Sequence, residues 1–364
     1  TIGIDTSVPA RGLHGEAYRG HIFWDELFIF PFFYLRMPEL SRSLLMYRYR
    51  RLEEAKHLAS EQGFEGAMFP WQSGSDGSEE GQSLHLNPKS GNWVADNTSL
   101  QRQINGAIVY NIVKYYEATD DHEFMHYYGI EMIFEICKFW VSAAKLSSSS
   151  KRYELCQIVG PDEFHTKYPG SDCPGLHNNA YTNFLASWSL KKALSFFQAQ
   201  SETKQDELLE ELELTHDDLS LWAKVASNLL IPFQKDGIIS QFSGYEELED
   251  FPFDKYINKY GNIQRLDRIL EAEGDDINKY KVNKQADVLM MFYLFSTEEL
   301  KEQFEYMGYK FDPGWIPKNI HYYLEQTTNG SSLSRVAHSW VLARLDRAKS
   351  WKLFQEALTS DLMD

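Results

Sequence analysis

From about His21 onward, apolar residues recur at three- and four-residue spacing and strict apolar–polar alternation is scarce. The pattern predicts an all-α protein. The clearest segments run Pro38 to Gln62, Ser99 to Ala118, His122 to Lys145, Asn179 to Gln200, Asp217 to Leu230, Lys284 to Phe295 and Ser332 to Leu345, within a total of about eleven or twelve helices. Thr215 before Asp217-Asp218, and Ser296-Thr297 before Glu298-Glu299, read as helix caps, because a hydroxyl there can satisfy an orphan backbone N–H. Three long connections interrupt the rhythm: Gly63 to Asp96, Ser147 to Asn178 and Pro232 to Val282. Connections of that length in a compact domain are more often functional than idle. No repeat of fixed period is present, but the succession of helix pairs suggests a closed array of helical hairpins.

Length and composition narrow the class of ligand. A chain of 364 residues can bury a large core, and aromatic residues at 15% suit either that core or stacking on a ligand. The net charge of -17 argues against nucleic acid or an anionic membrane as the main partner and leaves a small neutral molecule as the better fit. The acidic run through Asp206, Glu207, Glu210, Glu211, Glu213, Asp217 and Asp218 reads as a solvated helix face. Cys137, Cys156 and Cys173 have neither metal-ligand nor disulfide-scaffold spacing, and no apolar run reaches membrane-spanning length, so a cytoplasmic protein is expected. His14, His21, His165 and His177 match no zinc signature. Phosphate-loop, dinucleotide and nucleophile-elbow patterns are missing too, and the expectation is no metal and no cofactor.

Gly160-Pro161-Asp162-Glu163-Phe164-His165 carries the strongest chemical signal. Pro161 fixes φ and Gly160 tolerates unusual dihedrals, so the segment reads as a shaped loop between two helices. A carboxyl held there beside an aromatic ring can be desolvated into a general acid, the role assigned to Glu163. By itself the hexapeptide fits an ordinary surface turn better than a catalytic loop.

Five further stretches accompany it: Arg11-Gly12-Leu13-His14-Gly15-Glu16 with Arg19-Gly20-His21-Ile22-Phe23-Trp24-Asp25-Glu26, Asn178 to Asn183, Lys284-Gln285-Ala286-Asp287-Val288 and Ser331-Ser332-Leu333-Ser334. Together with the hexapeptide they make the chain resemble family 65 of the glycoside hydrolases along almost its whole length. That family holds maltose, trehalose and kojibiose phosphorylases and related α-glucoside hydrolases such as acid trehalases. The resemblance implies an (α/α)6 barrel occupying residues 1–364, with a sugar pocket formed by long loops at one end. The β-sandwich that usually precedes this barrel and the β-domain that follows it are not seen. The chain stops where the family would continue with a Gly-rich, His-containing segment, which reads as a fragment, a processed chain or one whose remainder lies elsewhere.

Residue by residue, the resemblance gives Glu163 the role of general acid. It places Trp24 and Asp25 at the sugar on the non-reducing side of the scissile bond, and Lys284 and Gln285 on sugar hydroxyls. An indole offers a pyranose an apolar face and an N–H, a carboxylate accepts from hydroxyls, and ammonium and amide together discriminate hydroxyl geometry. For Trp24 a place in the aromatic core with Phe23, Phe28 and Phe30 is the competing reading, and for Lys284 and Gln285 it is an ordinary helix N-terminus. Trp71, Gln72 and Asp76 are candidates for a second sugar subsite. In the phosphorylases an ordered phosphate, held near a Thr-Thr-His-x-Ser-Ser type of segment, attacks the anomeric carbon. Here the segment is Thr327-Thr328-Asn329-Gly330-Ser331-Ser332, with Asn329 in place of His, so Ser331 and Ser332 remain phosphate candidates while one cation is lost. The sequence reading therefore favours inverting hydrolysis of an α-glucosidic bond in a disaccharide or short oligosaccharide, with Glu325 as the nearest candidate base. Phosphorolysis, with inorganic phosphate as co-substrate, is the alternative, and an inactive sugar-binding fragment is a third reading. The partner is a small sugar, and homo-oligomerisation stays open.

Overall fold

The two helix starts anticipated from sequence form as reciprocal capping boxes. Thr215 Oγ1 accepts the Asp218 N–H while the Asp218 carboxylate accepts the Thr215 N–H at the head of helix His216–Ala226. Ser296 and Glu299 repeat the arrangement at helix Thr297–Tyr306. In the computed structural model, which describes residues 3–10 and 18–359, helices dominate and strands are short. The Arg11 to Glu16 motif, including His14, lies outside the described residues.

Sixteen α-helical segments occur among the described residues, more than the sequence suggested, because several long amphipathic stretches are broken. Pro38 to Gln62 is two helices, Pro38–Tyr49 and Leu52–Glu61. At the break the Arg51 guanidinium donates to the Tyr47 carbonyl and to the Ser75 carbonyl, pairs with Asp5, and lies 3.9 Å from the Tyr47 ring centroid. A side chain tied to a distant loop outweighs continuity of the helix. The Pro232 to Val282 connection also proves partly helical, with Phe253–Tyr260 and Leu266–Ala272, which are too short for a 3.6-residue period to be legible. Helix Glu202–Glu211 has no buried residue, as expected of a solvated acidic face.

The described chain divides into two compact units. One takes residues up to Gln82 together with Ser99–Tyr153 and Leu185–Leu229. The other takes Ser83–Thr98, Glu154–Phe184 and the residues from Leu230 onward. In the first, helix Gln103–Thr119 is the centre of the core: Ile104, Ile108, Val109, Ile112 and Val113 are buried around its circumference, and helices Glu26–Arg36, Pro38–Tyr49 and Ile130–Ala143 pack on it. In the second, helix Asp287–Leu294 is buried along nearly its whole length, with Trp315–Glu325 and Ser332–Leu342 against it. A satellite core of the second unit gathers Phe164, Phe251, Tyr256, Leu266, Ile269 and Leu270. A short antiparallel hairpin, Leu84–Leu86 with Trp93–Ala95 in the register His85↔Val94, belongs to the same unit, as does the parallel pair Glu249–Asp250 and Tyr280–Lys281. None of the described helices is long and apolar enough to cross a membrane.

Candidate active site

The Gly160 to His165 loop stands on a paired base. Ile158 and Leu176 exchange backbone hydrogen bonds of 3.0 and 2.8 Å, and the Gly175 N–H reaches the Thr166 carbonyl at 2.7 Å. Its position is then fixed by two buried carboxylates. Asp287, at the start of its helix, accepts the Asp162 N–H on Oδ1 and the Asn179 amide on Oδ2, both at 2.7 Å. Asp162 in turn accepts the Lys284 N–H at 2.7 Å and faces His165 Nδ1 at 2.7 Å, while His165 Nε2 donates to the Tyr280 carbonyl at 2.8 Å. Gln285 Nε2 donates to the Pro161 carbonyl at 2.6 Å. Behind this layer the Asp287 N–H donates to Gln241, whose amide donates to Asn283 at 2.7 Å; Asn283 donates to the Tyr245 hydroxyl, and that hydroxyl donates to Gln326 at 2.8 Å. A fully paired buried network of this kind fixes one loop conformation.

Backbone geometry shows what the network holds. Glu163 has φ 61°, in the left-handed region that non-glycine residues rarely occupy. Gly160 is required for space: a Cβ there would lie 1.8 Å from Asp287 Oδ2 and 2.4 Å from Asn179 Nδ2. Burial pushes the Asp287 carboxyl well above the usual range, and the charge of Asp162 adds to this against the hydrogen bonds from Asn179 and the Asp162 N–H.

Glu163 forms an ion pair with Lys284 and lines a cavity of about 860 Å³ whose walls also carry Lys167, Asp267, Arg268 and Asn278. Its side chain retains 27% of its exposure. The surroundings differ from the desolvated, ring-flanked carboxyl expected from sequence. Phe164 turns into the satellite core, and the immediate partner of Glu163 is an ammonium. Asp267 is also within the field of Lys284. Burial would raise its carboxyl, but the Arg265 hydrogen bond and charge, with the Lys284 charge, hold it low.

The Thr327 to Ser332 segment lies beside Lys284. The Thr328 N–H donates to the Asn283 carbonyl at 2.8 Å, the Gly330 N–H donates to the Lys284 carbonyl at 3.2 Å, and a Cβ on Gly330 would come within 3.0 Å of Lys284 Cγ. Asn329 takes φ 52° and bonds His338 Nδ1 at 2.9 Å. Burial lowers His338 to about 4, so this buried imidazole does not replace the cation lost with the expected His. The Thr327 and Thr328 hydroxyls donate to the Tyr323 and Asn283 carbonyls. Ser331 precedes the first turn of Ser332–Leu342 and its carbonyl accepts from Ser334; the Ser332 side chain lies outside the described set. Glu325, the candidate base, ends helix Trp315–Glu325 with its side chain 69% exposed and 3.2 Å from His321. It borders other surface depressions and does not line the cavity that contains Glu163, which corrects its expected place in the site.

The first unit holds the other sugar candidates. Trp24 is buried, with Phe28 at 5.4 Å and Trp71 at 6.0 Å between ring centroids. Asp25 is half-buried at the N-terminus of Glu26–Arg36 without making a side-chain cap bond. Gln72 Nε2 meets His21 Nδ1 at 2.8 Å. Asp76 is exposed and accepts from Ser78, so it organises a turn. Sequence reasoning missed two supports here. Half-buried Glu79 accepts the backbone N–H groups of Trp71, Gln72 and Gly81, and buried Arg48 pairs with Glu26 at 3.2 Å and donates to the Phe23 carbonyl, anchoring the Trp24 segment. Among the described residues no group of three or more His, Cys, Asp and Glu side chains could hold a metal ion.

Comparison with known proteins identifies the chain's family. Its sequence matches the profile of the Glycosyl hydrolase family 65 central catalytic domain over residues 3–364. It is 49% identical over its full length to an uncharacterized glycosyl hydrolase of Mycobacterium tuberculosis, covering 27% of that protein. It is 38% identical to a trehalose 6-phosphate phosphorylase of Lactococcus lactis, over 99% of the chain and 45% of the relative, and 34% identical to a kojibiose phosphorylase of Halothermothrix orenii, over 98% and 44%. The chain thus spans less than half the length of these curated relatives. A solved structure of a provisionally named kojibiose phosphorylase from the human microbiome superposes with a TM-score of 0.80 at 28% identity, over 98% of this chain and 48% of that one. The chain belongs to glycosyl hydrolase family 65 and corresponds to its central catalytic domain.

Proposed function

We propose that the protein of which this chain is the catalytic domain cleaves an α-glucosidic bond by inverting phosphorolysis, within an (α/α)6 barrel. The observation that carries the reading is Glu163, held in a left-handed conformation by the Asp162–Asp287 network and directed into a cavity beside Lys284. A glycosidic oxygen leaves only when protonated, and Glu163 is the donor. Lys284 orients that carboxyl and, with Gln285, serves hydroxyls of the glucosyl unit; within the first unit Trp24 and Asp25 are separate candidates for sugar contact, and Trp71 and Gln72 for a second sugar. Two observations favour phosphate over water as the attacking group. Glu325 lacks the placement of a water-activating base, and the curated relatives of assigned activity named above are phosphorylases. Since the Thr328 and Gly330 N–H groups and both threonine hydroxyls already donate to carbonyls, the donors this segment offers an anion are the Ser331 hydroxyl and the N–H groups opening Ser332–Leu342. Phosphate is then a co-substrate, and the chemistry requires no cofactor.

The reading is tested with Glu163→Gln in the full-length protein. Disaccharide turnover should fall by about 10²–10⁴-fold, while α-glucosyl fluoride, whose leaving group needs no proton, should retain far more of its rate. Equal losses on both substrates would remove Glu163 from the acid role.

A further inference from the structure

The contact between Glu163 and Lys284 opposes the work of both. The Lys284 ammonium donates to the Glu163 carboxylate, and such a pair favours the ionised carboxyl. An ionised Glu163 has no proton to give a leaving oxygen. Lys284, for its part, serves sugar hydroxyls with the same N–H donors that Glu163 draws on. The tip of Lys284 is the part that can move. Its backbone N–H donates to Asp162 Oδ1 at 2.7 Å, its carbonyl accepts the Gly330 N–H at 3.2 Å, and its Cγ lies against Gly330, where a methyl would come within 3.0 Å. The Lys284 and Glu163 side chains keep 18% and 27% of their exposure, so the pair is within reach of a ligand.

The surroundings of Glu163 decide its state once the ammonium is drawn away. Its own loop carries Asp162, paired with His165, and then Lys167 and Asp172. Helix Leu266–Ala272 adds Asp267, Arg268 and Glu271, the turn after it Asp275 and Asp276, and the hairpin His85. Arg265 holds Asp267 at 2.6 Å and Lys279 holds Asp275 at 2.7 Å. Asp287 stands behind the loop, where burial and the charges of Asp162 and Glu163 push its carboxyl well above the usual range. Carboxyl groups outnumber cations in this set, and neighbouring carboxyls resist ionising together. A Glu163 charge deprived of Lys284 is therefore repelled and draws a proton. Resting on the assignment of Glu163 as proton donor, we propose that Lys284 is a sugar-operated switch on the acid: glucosyl hydroxyls draw its ammonium from Glu163, and Glu163 takes up a proton from solvent as the sugar binds. That proton passes to the leaving oxygen as the glucosidic bond breaks. The attacking hydrogen phosphate becomes the ester and returns its own proton to solvent, so turnover is proton-neutral, and Lys284 recloses on the carboxylate when the products leave.

Glucose is the probe, because it carries the glucosyl hydroxyls and offers no bond to cleave; the test does not depend on whether phosphate or water attacks. Its binding to the full-length protein is measured by calorimetry over about pH 5 to 8, in buffers of different ionisation enthalpy, which separates proton uptake from the heat of binding. The expected result is uptake approaching one proton per glucose, with Kd rising by up to about tenfold per pH unit as pH increases. Glu163→Gln should abolish both the uptake and the slope. Lys284→Met should bind glucose more weakly and take up no proton, because Glu163 without its counterion is already protonated. Infrared difference spectra of Lys284→Met against wild type, without sugar, should then show a protonated-carboxyl band that is lost when Glu163→Gln is added. Glucose binding without proton uptake overturns the proposal, as does uptake that survives in Glu163→Gln. Should glucose bind too weakly to measure, the infrared band decides: its presence sustains the switch and its absence ends it. Loss of disaccharide turnover in Glu163→Gln, with no proton uptake in wild type, keeps Glu163 as the acid and removes only the switch.

Discussion

Gly160→Ala tests the site through a single methyl group. The new Cβ would fall 1.8 Å from Asp287 Oδ2 and 2.4 Å from Asn179 Nδ2, neither of which can retreat freely because the two are bonded to each other at 2.7 Å in a buried setting. Forcing a methyl into a packed interior and weakening the two hydrogen bonds on Asp287 costs about 2–4 kcal/mol in combination. Thermal unfolding should register this as a Tm drop on the order of 5 °C. The larger effect should be on catalysis. Asp287 positions the Asp162 N–H, Asp162 positions Lys284, and Lys284 meets Glu163, so a displacement approaching 1 Å propagates to the proton donor and lowers kcat/KM by about 100-fold. Steady-state kinetics and unfolding are compared for Gly160→Ala, Asp287→Ala and the double variant. Removing the Asp287 carboxylate makes room for the methyl, so Gly160→Ala should add little in that background, a coupling that an independent structural defect would not produce. A Gly160→Ala protein with Tm unchanged and kcat/KM within about threefold of wild type would refute the reasoning.

Other expectations concern sugar contacts and pH. Asp25→Ala and Lys284→Ala should lower kcat/KM for every glucosyl substrate tested, by about 10-fold or more, whereas Trp71→Ala should change the ranking of acceptor sugars; a specificity constant within a few-fold of wild type in both first variants would misplace the glucosyl contacts. His338 has its imidazole lowered from 6.5 to about 4 by burial, so the unfolded chain binds the extra proton first as pH falls. Stability linked to this group is complete above about pH 6.5 and is lost towards pH 4, amounting to about 3 kcal/mol, and His338→Gln should flatten urea-unfolding curves over that window; an unchanged slope would contradict the burial argument. Asp287 is shifted the other way: its contribution is complete below the ordinary aspartate value and declines as pH rises above it, so Asp287→Asn should lose less stability than wild type on going from pH 4 upward.

What was legible in the sequence was what local chemistry determines. Caps at Thr215 and Ser296 could be read because hydroxyl and carboxylate sit three residues apart on the same turn. Glu163 could be nominated because glycine and proline shape its loop. The supports of that loop were not legible, since Asp287 and Gln241 reach it across long separations in sequence and only burial turns them into partners. Asp162 and Asp287 did fall within quoted motifs, and the signal overlooked was that a carboxylate beside apolar neighbours needs a donor. Lys284 was expected on sugar hydroxyls but is engaged by Glu163, a pairing that spacing along the chain cannot reveal. The break at Arg51 and the exposure of Glu325 escaped for the same reason: each is decided by what the fold brings, or fails to bring, to the side chain.

The central claim is that Glu163 protonates the departing sugar while phosphate attacks the opposite face. It is tested most directly by proton and phosphorus NMR of the full-length protein with a panel of α-glucosides, including sugar-phosphate glucosides, with and without inorganic phosphate. The account predicts β-glucose 1-phosphate as the first product, formed one-for-one with phosphate consumed, and no cleavage without phosphate. Free glucose released at the same rate in phosphate-free buffer, or a glucose 1-phosphate of α configuration, would contradict it.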